Sequence, residues 1–145
     1  MRGVGGSRKS DLDDALRWGT RIIPATTVRR HGMTPVLDCI PAEARCVVTI
    51  DCDGLDPSVI PALLVPQPGG LNYVDVMDLF DGSAAKATIA GVDVVELVPK
   101  RDVNGIGALT AARFICKAAG RIAHQRDVSL RCHAGAASAL SGGPF

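Results

Sequence analysis

Asp51, Asp53 and Asp56 crowd the end of an apolar, β-rich run, Cys46-Val47-Val48-Thr49-Ile50. Side chains alternate along a strand, so residues two apart project together, and Asp51 and Asp53 are expected to leave the strand end as a pair. Two carboxylates that close repel, and one pKa rises unless a cation compensates them; a divalent metal does this most effectively. Oxygen-only donors favour a hard ion such as Mg²⁺ or Mn²⁺. Ligands of open α/β sheets bind outside the carboxyl ends of the strands, which is where both aspartates fall. The competing reading is turn chemistry, because Asp53-Gly54 and Asp56-Pro57 are turn-forming pairs that need no metal. A bare Asp-x-Asp does not decide between the two.

Positioning these groups requires a sheet and a crossover. The run Cys46–Ile50 reads as a strand buried on both faces, as in parallel sheets. A loop follows from Asp53 to Asn72, dense in Pro57, Pro61, Pro66, Pro68, Gly69 and Gly70; loops of that length in compact domains usually carry function. Asn72 with Asp75 caps a helix through Val76, Met77, Leu79 and Phe80, which Gly82 and Ser83 are expected to end. Thr88 to Val98 is a second apolar strand that stops at Pro99. The order strand, loop, helix, strand is a βαβ unit, and Glu96 at the end of its second strand faces the same rim as the aspartates. Asp93, three residues earlier, is expected to face oppositely, as an outer partner or ion-pair member and not a ligand.

Flanking elements complete an α/β pattern. Ser10 and Asp13 form a capping box for a short helix closed by Gly19, and Thr26 to Asp38 reads as a helix broken at Gly32 and Pro35. From Gly107 to about His124, Leu109, Ala112, Phe114, Ile115, Ala118 and Ile122 form a wide apolar stripe on a helix. Residues 127–145, rich in glycine, alanine and serine, are expected to be a disordered tail, leaving 1–126 as the folded portion.

Composition excludes several classes. A chain of 145 residues with 47% hydrophobic and 21% charged residues has the makeup of a globular domain. The formal charge of +1 provides no field for nucleic acid or an anionic membrane. No apolar run reaches the roughly 20 residues of a membrane span, and Met1–Gly6 has no signal-peptide core, so a cytoplasmic location is expected. The five cysteines include no Cys-x-x-Cys pair and are expected to be reduced and structural; thiol catalysis lacks a neighbouring histidine.

The full run Thr49-Ile50-Asp51-Cys52-Asp53-Gly54-Leu55-Asp56-Pro57, continuing to Ser58, Pro61 and Pro68-Gly69-Gly70-Leu71, resembles the signature of the arginase and agmatinase ureohydrolases. The likeness continues through Gly91-Val92-Asp93-Val94-Val95-Glu96-Leu97-Val98-Pro99 and into Arg101-Asp102-Val103-Asn104-Gly105 and Leu109-Thr110-Ala111-Ala112. Gly3-Val4-Gly5-Gly6-Ser7 is similar to a glycine-containing segment preceding this half of the family's fold. The resemblance implies a three-layer Rossmann-like α/β sandwich with a parallel sheet, represented by its C-terminal part. It also implies hydrolysis of a guanidino compound by a hydroxide bridging two Mn²⁺ ions, with agmatine, giving putrescine and urea, favoured over arginine. Asp51 would bridge both ions and Asp53 would bind one. Glu96 would serve as catalytic and substrate-binding carboxylate, matching the planar guanidinium in fork geometry and aiming its carbon at the nucleophile. Asp102 and Thr110 fit the family pattern and equally fit a helix cap. A homo-oligomer is implied if the chain is complete.

The family's other ligands come from Gly-Gly-x-His and Asp-Ala-His-x-Asp segments, and neither occurs here. His31, His124 and His133 lack the flanking acids and read as surface residues. The expectation is therefore a C-terminal portion whose metal binding is weakened and which can be inactive alone, with an uncovered strand edge and sheet face. Two alternatives stand beside this. One is a haloacid-dehalogenase-type phosphatase with Asp51 as nucleophile, which would need Thr or Val where Leu55 stands and leaves Pro68-Gly69-Gly70 and Glu96 unexplained. The other is a non-catalytic metal-binding or interaction fragment.

Overall fold

The computed structural model describes residues 8–140, with side chains from 8 to 128. Five α-helices and two strands occur in the order α1 (Lys9–Arg17), α2 (Ala25–His31), α3 (Thr34–Leu37), β1 (Arg45–Asp51), α4 (Tyr73–Lys86), β2 (Thr88–Val95) and α5 (Ile106–Leu140). Short 3₁₀ turns at Cys52–Gly54 and Pro99–Arg101 follow the two strands. None of the described helices is long and apolar enough to cross a membrane.

β1 and β2 pair in parallel, with Val48 beside Val92, Ile50 beside Val94 and Asp51 beside Val95. A parallel pair needs a crossover, and α4 supplies it. One face of the sheet carries Ile50 and Ile89 into a core completed by Val76 and Phe80 of α4 and by Phe114 and Ala118 of α5. Phe80 and Phe114 are fully buried, and each such ring contributes about 2 to 3 kcal/mol relative to exposure. α4 and α5 are further tied where the Asp81 carboxylate accepts from Lys117 Nζ at 2.9 Å and Arg121 Nε at 2.7 Å. Gln125 of α5 donates to Ala84 O and Ala87 O at the end of α4 and accepts from Ile89 N, which joins helix, crossover and strand.

The opposite sheet face departs from expectation. β1 is not buried on both sides: Val47 is 68% exposed and Val95 39%, with Thr49 and Asp93 also exposed on the same face. Periodicity alone cannot distinguish a two-sided strand from one whose second cover lies outside the described residues. The uncovered face is the one expected for part of a layered sandwich.

Other boundaries shift for identifiable reasons. Around Asn72 the capping box is present in both directions, Asn72 Oδ1 accepting from Asp75 N and Asp75 Oδ2 from Asn72 N. α4, however, runs past Gly82 and Ser83 to Lys86. A Cβ at Gly82 would collide with the Leu37 side chain, so this glycine lets α3 pack against α4 and does not end the helix. In α1 the Ser10–Asp13 capping box does not form, although Gly19 (φ +83°) does follow the helix end. Gly32 (φ +68°) separates α2 from α3 where a break was expected. The last helix does not stop near His124 but continues to Leu140, so residues 127–140 are helical where a disordered tail was expected. Composition misled there: the segment is alanine-rich and free of proline, which favours helix despite Gly135. Gly3–Ser7 and residues 141–145 lie outside the described residues.

Candidate functional site

Asp51 is the last residue of β1, and its Oδ1 accepts the Asp53 amide at 3.0 Å. That bond opens the Cys52–Gly54 turn, so Asp51 and Asp53 come together through a side-chain cap and not through strand alternation as the sequence suggested. Asp53 is buried at 6% exposure and Asp51 is half-buried. The turn is held from below: Leu71 N donates to Gly54 O at 3.1 Å, Asp56 N donates to Leu71 O at 2.9 Å, and Leu55 bridges Leu71 in parallel. The long loop is thus a packed structure with Leu55, Ile60, Ala62 and Leu63 in the core.

Asp56 organises this loop. Its Oδ1 accepts from Ser58 Oγ at 2.6 Å and Ser58 N at 3.0 Å, and its Oδ2 accepts from Gly69 N at 2.8 Å. The Ser58 hydroxyl foremost, then the Gly69 and Ser58 amides, hold its carboxyl down to about 2, below the usual carboxylate value. A folded-state pKa below the unfolded one adds stability that is complete above about pH 4 and is lost as pH falls toward 2. Acid unfolding followed by circular dichroism should therefore show a steeper loss of stability between those values in the native chain than in Asp56→Asn. Equal pH profiles would remove this role.

Glu96 lies one residue beyond β2 and takes φ +60°. A non-glycine residue in the left-handed region is uncommon and costs of order 1 to 3 kcal/mol, a form of strain that gathers at functional sites. The sequence carries no local signal for it. Because Val95 pairs with Asp51, Glu96 emerges beside the end of β1. The buried Cys52 thiol registers the convergence: burial first, then the charges of Asp51, Asp53 and Glu96, push it up to about 11. A thiol held protonated in this way is structural, and nucleophilic thiol chemistry at Cys52 is set aside.

Asp102 resolves as a cap. Its carboxylate accepts from Gly107 N and Val103 N at 2.8 Å and from Ala108 N at 2.9 Å, and chiefly the Ala108 amide holds its pKa below the usual range. Thr110 lies near the start of the same helix, α5. Asp93 is exposed on the uncovered sheet face opposite Thr49. His31 and His124 are exposed, as expected, while the His133 side chain lies outside the described residues. Among the described residues no group of three or more His, Cys, Asp or Glu side chains is arranged to hold a metal. Two aspartates are hard oxygen donors of the kind that suits Mn²⁺ or Mg²⁺, and two carboxylates alone do not close a coordination shell.

Carboxylates gathered at the carboxyl ends of adjacent parallel strands lie where α/β folds of this kind carry their sites. Residues 1–120 match the arginase family, and the chain belongs to that family. It is 34% identical over 119 residues to the N(1)-aminopropylagmatine ureohydrolase of Thermus thermophilus, covering 79% of this chain and 40% of that protein. It is 33% identical over 101 residues to the agmatinase of Chromobacterium violaceum, covering 68% of this chain and 31% of that protein. Among solved structures, the proclavaminate amidino hydrolase of Streptomyces clavuligerus superposes with a TM-score of 0.75 at 27% identity, over 86% of this chain and 42% of that one. The chain therefore spans about two fifths or less of these relatives. The arginase assignment displaces the phosphatase reading and accounts for the Pro68-Gly69-Gly70 and Glu96 segments that the latter left aside.

Proposed function

We propose that the chain supplies the C-terminal share of a manganese-dependent ureohydrolase site that cleaves a guanidino compound of the agmatine class into urea and an amine. The observation that carries this is the meeting of the Asp51–Asp53 turn with the strained Glu96 at the ends of paired parallel strands. Asp51 and Asp53 would hold the metal, and the remaining ligands would come from outside these residues. When bound, the ions would supply Lewis acidity and make water a nucleophile at neutral pH. Asp51 has a second duty, since the oxygen that takes the Asp53 amide fixes the turn. Glu96 would accept guanidinium N–H groups and orient the central carbon. Cys52 opens the Asp53 turn and Leu55 follows it, and both are buried, so the turn rests on apolar packing.

The agmatine preference is supported by the names of the two bacterial relatives and by the likeness of the segments around Asp51 and Glu96 to agmatinases. Putrescine as product would make the reaction a polyamine-forming step. A cytoplasmic location and homo-oligomeric assembly go with this reading. The test is Mn²⁺ titration with urea release from agmatine and arginine. It uses the chain alone and together with a polypeptide carrying the Gly-Gly-x-His and Asp-Ala-His-x-Asp segments of a relative. Urea from agmatine in the combined sample is the expected result. Preference for arginine would change the substrate, and failure to release urea from either in the combined sample would leave a binding fragment.

A further inference from the structure

Arg29 of α2 reaches across to the loop that underlies the aspartates. Its Nη2 donates to both Gly69 O and Gly70 O at 3.3 Å. Gly69 is held on its other side, where its amide donates to Asp56 Oδ2. The Gly70–Leu71 peptide is held on both sides as well: its carbonyl accepts from Arg29 and its N–H donates to Gly54 O, the last residue of the Asp53 turn. A charged donor on a peptide carbonyl polarises that peptide and strengthens the hydrogen bond from its N–H. Gly70 transmits the contact without slack, since no Cβ fits between it and the Leu55–Asp56 backbone.

From this chain of contacts we propose that Arg29 is a positioning residue for the metal-side carboxylates. It acts through the Gly70–Leu71 peptide on Gly54 and so on Asp53. The inference rests on the ureohydrolase reading for its functional consequence, whereas the mechanical coupling stands on geometry alone. Nothing in the local sequence at Arg29 signals it; the coupling exists only because α2 folds back over the loop. Arg29 is itself exposed and outside the core, so its replacement leaves the packing around its neighbour Val28 in place.

The experiment uses the full chain with Arg29→Gln and Arg29→Lys, and it has two readouts. Amide hydrogen exchange should rise about threefold to tenfold at Leu71 and Asp53 in Arg29→Gln, with little change at Ile89 in the sheet, and Arg29→Lys should restore much of the protection. Mn²⁺ affinity, followed by the loss of free-ion paramagnetic resonance signal, should weaken in Arg29→Gln by about threefold, less than the roughly tenfold or more seen for groups bonded directly to a ligand, because the Gly70–Leu71 peptide and Gly54 stand between. Unchanged exchange at Leu71 and Asp53 would overturn the coupling whatever the metal does. Raised exchange in a chain whose native form takes up no Mn²⁺ would retain the coupling and overturn its link to metal binding. Raised exchange with unaltered Mn²⁺ affinity would overturn the positioning role while leaving the ureohydrolase reading intact.

Discussion

With Asp51 holding the metal as proposed, Asp51→Asn should bind Mn²⁺ more than about 100-fold more weakly than the native chain while folding equally well, because loss of a direct ligand exceeds the usual effect of outer partners. The distinction follows from the two duties of this carboxylate. The amide oxygen of asparagine can still accept the Asp53 N–H that opens the turn, whereas the negative charge that attracts the cation is gone. Asp51→Ala removes both and should also destabilise the fold by about 1 kcal/mol, the ordinary cost of a lost cap. Calorimetric Mn²⁺ titration with urea-denaturation midpoints separates charge from geometry. In a sample completed with the missing ligands, urea release should fall in parallel with metal affinity. Native-like Mn²⁺ binding by Asp51→Asn would remove Asp51 from the ligand set.

Gly70→Ala should cost about 3 kcal/mol or more, because the added methyl has nowhere to go. The neighbouring atoms are the Leu55 and Asp56 backbone and the Gly54 carbonyl oxygen, none of which can rotate aside as a side-chain tip would. Gly69→Ala is the control. Gly69 sits at φ +91° in open space, so its substitution meets conformational strain alone, of about 1 to 2 kcal/mol. Denaturant unfolding should rank the native chain above Gly69→Ala and Gly69→Ala above Gly70→Ala. If Gly70→Ala matched the control, the close approach of the two loops would be wrong.

What could be read from the sequence was whatever depends on neighbours along the chain. The Asn72–Asp75 capping box, the apolar strands ending at Asp51 and near Glu96, and the break at Gly32 all follow from local rules. Family resemblance is the source of the roles proposed for Asp51, Asp53 and Glu96, which composition could not have supplied. What stayed hidden depends on contacts between distant segments. Gly82 looks like a helix end until Leu37 is found against it. Asp56 reads as a turn former until Gly69 is seen donating to it from across the loop. The exposure of Val47 depends on what else covers the sheet, and no pattern within β1 records that. The pairing of the aspartates was expected for the wrong reason: two-residue periodicity stops at Asp51, and a side-chain hydrogen bond brings Asp53 round instead.

The parallel pairing of β1 with β2 sets the order of events as well as the shape. A parallel pair cannot close as a hairpin; the whole of the loop and α4 separates Asp51 from Val95 along the chain. Contacts of such sequence separation form slowly, since chain entropy is lost before any pairing energy is returned. The rim where Glu96 approaches the aspartates is thus expected to assemble late in folding. A cation or guanidinium that recognises this rim meets nothing to hold in the denatured ensemble or its early intermediates. Its effect falls on the lifetime of the finished molecule, by slowing unfolding, and not on the speed with which the chain first arrives there.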